Sequence, residues 1–179
     1  SKVCDPDNLR LALKVLAYKK VSEPVTVLQD MLYPDVICID TDNADNGDLI
    51  LKGDTADNGG QAPPKGCIKC PKFVIKGRSE VTIMNLRIIG TSSGKPALEV
   101  CDSADVRLVN CHVSGKGTGV SVSDDAELVM ESCHVHDCES SGVFVNNTSG
   151  QCSLKSCKIY NNKNRGVVIG GSKVTPYTC

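Results

Sequence analysis

At 179 residues the chain suits one domain with its own core, and 20 basic against 21 acidic side chains leave a net charge of −1. That balance excludes nucleic acid, which asks for a basic excess, and no apolar run of about eighteen residues exists to insert in a membrane. Aromatics are 3% of the chain, with no Trp, and the eleven cysteines are an odd number that leaves one thiol over unless it pairs elsewhere. The opening "SKVCDPDN" lacks the apolar stretch of a signal peptide. A soluble chain is expected, intracellular rather than secreted or organellar after loss of a leader.

"CDPDNLRLALKVLAYKK" opens with an N-cap, Asp5, and Pro6 at the first helical position, and Leu9, Ala12, Leu13 and Leu16 then recur at helical spacing. One amphipathic helix is expected within residues 1–20, covering the apolar end of whatever follows. "PVTVLQD", "DVICID" and "DLILKG" alternate as short strands of irregular first rungs over residues 21–52. The segment 53–72 contains "DTADNGGQAPPKGCIKCP", whose Gly and Pro content predicts an excursion from regular strand.

From residue 73 a repeat takes over. "VTIMNLRI" (81–88), "VRLVNCHV" (106–113), "LVMESCHV" (128–135) and "CSLKSCKI" (152–159) share one apolar alternation and start 25, 22 and 24 residues apart. A second column, "PALEV", "TGVSV", "SGVFV" and "RGVVI", follows each of them, and polar corners such as "CDSAD" and "SDDAE" lead to the next. Such a repeat is too short to hold a helix between strands. Its strands find hydrogen-bond partners if the chain coils, so that each rung stacks in parallel about 4.8 Å from the last. Asn85, Asn110, Ser132 and Ser156 fall where this path bends, and Asn tolerates the left-handed backbone a bend requires.

The segments "NCHVSGKGTGVSV", "SCHVHDCESSGVFV" and "SCKIYNNKNRGVVI" resemble the short carbohydrate-binding and sugar-hydrolase repeats of the pectin-lyase-like proteins, with the likeness spanning about residues 73–174. The resemblance implies an all-β fold, a right-handed single-stranded parallel β-helix with an N-terminal capping α-helix. Residues 1–179 then form one domain, with regular rungs over 73–179 that stop as a further rung would begin.

Strand geometry sorts the candidate chemistry. Adjacent strand residues point to opposite faces, so neither Cys111 and His112 nor Cys133 and His134 can act as a dyad. Leu86, Cys111, Cys133 and Cys157 are expected to form an inward column in which Cys behaves as a small apolar residue. Arg87, His112, His134 and Lys158 form the outward column beside it. His112, His134 and His136 are the candidates for a metal or proton-transfer role, and an exposed polar ladder is the plainer account of them. The corners stack Asp102 over Asp124 and Asp105 over Glu127, with Asp125 nearby. Such carboxylates can take Ca²⁺ or serve a glycosidase, or can simply close turns. "CIKC" gives Cys67 and Cys70 the spacing of a disulfide or half a zinc site, or a plain pair of loop thiols, with Cys4 and Cys38 as other partners. Asn146 and Asn147 each head a glycosylation sequon.

No cofactor is required by this reading, Ca²⁺ or Zn²⁺ being the ions these residues would take. The expected function is a non-catalytic interaction or scaffold module within a larger assembly, meeting a protein partner at the open C-terminal end or at the 53–72 excursion. The alternative is a carbohydrate-active protein, lyase, hydrolase or sugar-binding module, acting on an acidic polysaccharide.

Overall fold

The computed structural model describes residues 2–3, 7, 9, 12, 24–41, 49–54, 63–146 and 149–170. Its strands are β1 (Lys2–Val3), β2 (Val25–Val27), β3 (Asp30–Leu32), β4 (Ile37–Thr41), β5 (Leu49–Gly53), β6 (Gly66–Cys70) and β7 (Phe73–Gly77). They continue with β8 (Glu80–Met84), β9 (Leu86–Gly90), β10 (Leu98–Val100), β11 (Asp105–Val109), β12 (His112–Gly115) and β13 (Val120–Ser123). The last are β14 (Glu127–Glu131), β15 (His134–Cys138), β16 (Val143–Asn146), β17 (Cys152–Lys155), β18 (Lys158–Tyr160) and β19 (Val167–Gly170).

From β2 onward every third strand joins the same sheet, and β1 adds to the edge of the first. The first sheet runs β1-β2-β5-β8-β11-β14-β17, the second β3-β6-β9-β12-β15-β18 and the third β4-β7-β10-β13-β16-β19. All pairings are parallel; for example, Val106 stands opposite both Val81 and Leu128. The chain is therefore a parallel β-solenoid, as its repeat requires.

The period of two along each strand decides what is inside. Val81 and Ile83, Val106 and Leu108, and Leu128 and Met130 are buried in successive rungs of the first sheet, while Thr82, Arg107 and Val129 between them face out. Burying each large apolar side chain contributes about 1.5–3 kcal/mol. The stacked columns make one continuous core.

The bend column has the backbone its residues suggested. Asn85, Asn110, Ser132 and Ser156 lie at φ of 53°, 50°, 53° and 53°. Asn110 Nδ2 donates to Asn85 Oδ1 at 2.7 Å, so the ladder is bonded from rung to rung.

The expected capping helix lies outside the described residues except for Asp7, Leu9 and Ala12, of which Leu9 is buried in the core. Within the segment assigned to an excursion over 53–72, residues 55–62 lie outside the described residues, but β6 corrects the reading of its end. "GCIKC" is a full strand between β3 and β9, with Ile68 opposite Met31 and Ile88. Its apolar alternation was hidden by the Gly and Pro before it. Gly53 closes β5 where the chain crosses the next bend, and a Cβ there would lie 1.9 Å from the Asn85 carbonyl oxygen.

Candidate functional site

The outer face of the second sheet gathers the chemistry. Its register aligns Asp30, Cys67, Arg87, His112, His134 and Lys158 in one column. His112 and His134 stack with ring centroids 4.4 Å apart and planes 14° from parallel. His136 meets His112 edge-on at 5.6 Å and stacks on Tyr160 at 5.1 Å and 9°. The three imidazoles named from the sequence are thus together, joined by a phenol that sequence reasoning missed. Tyr160 stands one rung beyond His136, so following the column would have found it.

A bulge shapes this corner of the sheet. β12 pairs evenly with β9, but against β15 the register shifts, so that Val113 faces Val135 while Gly115 faces Cys138. The extra residue on β15 puts Asp137 at φ 53° and brings its Oδ2 to 2.7 Å from Nδ1 of His136. A bulge bends the strand and re-aims a side chain, here a carboxylate onto an imidazole. Nothing in the sequence alone marks it.

Burial and neighbouring charge disfavour the charged form of both stacked rings. Burial first, then His134, His136 and the Arg87 guanidinium, push the His112 imidazole down to about 4. His134 is lowered by burial, then by Lys158 and His136. Arg87 pairs with Asp30 at 2.7 Å. Parallel imidazoles direct their nitrogens into separate planes, and in these ring orientations no group of three or more His, Cys, Asp or Glu among the described residues is set to hold a metal ion.

The acidic candidates divide into two sets. Asp124 Oδ2 accepts from the Ser123 hydroxyl at 2.9 Å and from the Asp102 N–H at 3.4 Å, and Asp125 accepts from Ser149. Asp102 and Asp124 sit at φ 60° and 59°, positions that Asp tolerates and that tight corners need. Asp105 and Glu127 instead stand in register with Glu80 on the open face of the first sheet. Glu80, Asp105 and Arg107 line a shallow cleft on this face, and Asp102, Asp124 and Asp125 are not among its lining.

The thiols separate as well. Cys111 and Cys133 are fully buried and Cys157 partly so, each Sγ lying within 3.3–3.5 Å of two backbone carbonyl oxygens. Contact with Cys111, added to burial, pushes Cys133 up to about 12. Cys67 and Cys70 are both free thiols, which corrects the disulfide reading of that pair. Three residues apart on a strand, they face opposite ways, Cys70 into the core and Cys67 under the Arg87 and Asp30 side chains. They cannot bind one zinc together. Burial raises Cys67 to about 11 and Cys70 to about 12.

A cleft of about 310 Å³ lies beside the third sheet, lined by Phe144, Arg165, Asn164, Thr118, Ser140 and Val168. The Asn164 and Arg165 turn and the Phe144 ring line this cleft together because stacking of the rungs brings them to one side. No helix among the described residues is long and apolar enough to cross a membrane.

A family model described as the right handed beta helix region matches residues 71–178. No curated protein and no solved structure matches the chain. With parallel strands coiled rung on rung and more than half of its length covered by that match, the chain belongs to the right-handed β-helix family.

Proposed function

We propose that the chain is a non-catalytic interaction module, a rigid coil that docks a protein partner on the apolar surface of β18 and β19. The observation that carries this reading is the exposure of apolar side chains on those strands. Val143 and Val145 are 0% and 2% exposed, whereas Val167 and Ile169, opposite them in the next rung, are 36% and 49% exposed. Exposed apolar surface of this kind, with Tyr160 (41% exposed) on the adjoining strand, favours association. The dispersal of the carboxylates between turn bonds and an open sheet face supports binding over catalysis. A photo-crosslinker introduced at Ile169 should capture a defined protein partner that one at Lys116 does not, and Ile169→Glu should abolish the capture without altering the fold. Equal capture at both positions would remove the proposal.

A second reading, attachment to an acidic polysaccharide, is favoured by the Phe144 and Arg165 cleft. An aromatic face and a guanidinium suit a sugar ring and its carboxylate. Titration with oligogalacturonate, followed by NMR, tests it: shifts confined to the cleft and lost in Arg165→Ala support the reading, and their absence discards it.

A further inference from the structure

We propose that the cleft at the corner between the second and third sheets recognises a phosphorylated serine or threonine in an extended segment of a protein partner. This rests on the reading of the chain as a docking module and names the chemistry of what docks. The corner is built by a short repeat, Thr118-Gly119, Ser141-Gly142 and Arg165-Gly166, in which one polar side chain per rung precedes a glycine. The Gly119 N–H donates to the Ser141 carbonyl at 3.0 Å, and the Gly142 N–H to the Arg165 carbonyl at 2.9 Å. Thr118, Ser141 and Arg165 therefore stand in line, one rung apart, at about the 4.8 Å spacing of paired strands. A Cβ at Gly142 would lie 2.7 Å from the Gly166 carbonyl oxygen, so stacking this close needs glycine there.

Ser141 is the residue that points to a ligand. It is 4% exposed, it lines the cleft, and its hydroxyl has no hydrogen-bond partner among the described residues. A buried polar group left unbonded is costly, and one that opens on a cleft is met by what fills it. Arg165 and Asn164 are exposed beside it, and no carboxylate is among the described lining residues. The neighbouring Glu139 pairs with Lys163 at 3.7 Å. A phosphate monoester brings three free oxygens and about two negative charges, where a carboxylate brings two oxygens. The Arg165 fork takes two oxygens of either group. Only the phosphate then keeps one for the Ser141 hydroxyl, with Thr118, Ser140 and Asn164 around it. Sugar hydroxyls also need acceptors, and the lining has no carboxylate to supply them. Phe144 and Val168 form the apolar wall against which the side chain next to the phosphorylated residue packs. Val168 lies on β19 between the exposed Val167 and Ile169, so a segment seated in the cleft adjoins the apolar docking surface.

The test probes the full chain, kept reduced, with degenerate peptides centred on phosphoserine or phosphothreonine. The tightest binder is then titrated by fluorescence polarisation beside its unphosphorylated and glutamate counterparts. The phosphopeptide should bind at least about 100-fold tighter than the unphosphorylated form and at least about tenfold tighter than the glutamate form. Arg165→Lys should weaken it at least about tenfold by losing the fork, and Ser141→Ala about tenfold by removing a hydrogen bond to a charged group. Arg78→Ala, on a different corner, should change nothing. Far-UV circular dichroism checks folding, and Thr118→Val replaces Ser141→Ala if that variant misfolds. Equal affinity for the three peptides, undiminished binding by folded Arg165→Lys, or binding of oligogalacturonate in the cleft without binding of phosphopeptides would overturn the proposal. The peptides act without the rest of a partner. Phosphopeptide binding with no capture at Ile169 removes the apolar docking surface alone, and capture at Ile169 with no phosphopeptide binding removes this site alone.

Discussion

His112 and His134 lie face to face on neighbouring strands, 4.4 Å between centroids, because parallel pairing in register puts residues one rung apart directly over each other. Burial of His112, with His134, His136 and Arg87 beside it, makes stability depend on pH. His112 is held down to about 4 against an ordinary value of 6.5, so between these values the unfolded chain binds a proton that the folded chain refuses. Its contribution is complete above about pH 6.5 and is lost as pH falls toward 4. Discounted for solvent screening, the loss is on the order of 1 kcal/mol. Thermal unfolding of the chain and of His112→Gln at pH 7.5 and 4.5 should show the smaller acid-induced drop in the variant. Equal drops would mean that the stack does not titrate with folding.

The bend ladder predicts an asymmetry between Asn and Ser. Left-handed backbone costs a non-glycine residue about 1–2 kcal/mol, less for Asn, whose side chain bonds locally. Asn110→Ala also removes the bond to Asn85, so it should destabilise by about 2 kcal/mol. Ser132→Asn extends the ladder by one rung and should raise the unfolding temperature, by an amount worth up to about 1 kcal/mol. Denaturant titration of both variants measures the pair of effects.

Leu108 has no exposed surface and packs between Ile83 and Met130, so Leu108→Ala should cost about 2–5 kcal/mol by urea unfolding. Gly53→Ala acts by the opposite route. Its methyl would strike the Asn85 carbonyl and force the bend to shift, at a cost of about 1–3 kcal/mol.

Thiol mapping separates the surface from the column. Brief iodoacetamide treatment of the native chain at neutral pH should alkylate the exposed Cys38 and spare Cys111 and Cys133. Peptide mass analysis after quenching reads the order directly, and early labelling of Cys133 would contradict a closed core.

The sequence made the repeat legible because one physical requirement, alternation with a bend at fixed spacing, recurs in every rung. Cys111 could be assigned inward and His112 outward from neighbouring positions alone. β6 escaped because Gly and Pro around residues 59–66 dominate the composition there, while what makes "GCIKC" a strand is the presence of β3 and β9 on either side. Asp137 escaped for a related reason. A bulge is a mismatch between two strands, so it has no signature in either one. That Phe144 and Arg165 line one cleft depends on how far a turn folds back over the coil, which spacing does not determine.

Each strand pairs only with its counterparts one rung before and one rung after. Damage to a rung is therefore felt by its two neighbours and fades beyond them, unlike damage to a globular core that all elements share. The coil should loosen from its ends inward, with amides of β11 and β12 exchanging last, and so tolerate change at its outer rungs that its middle would not survive.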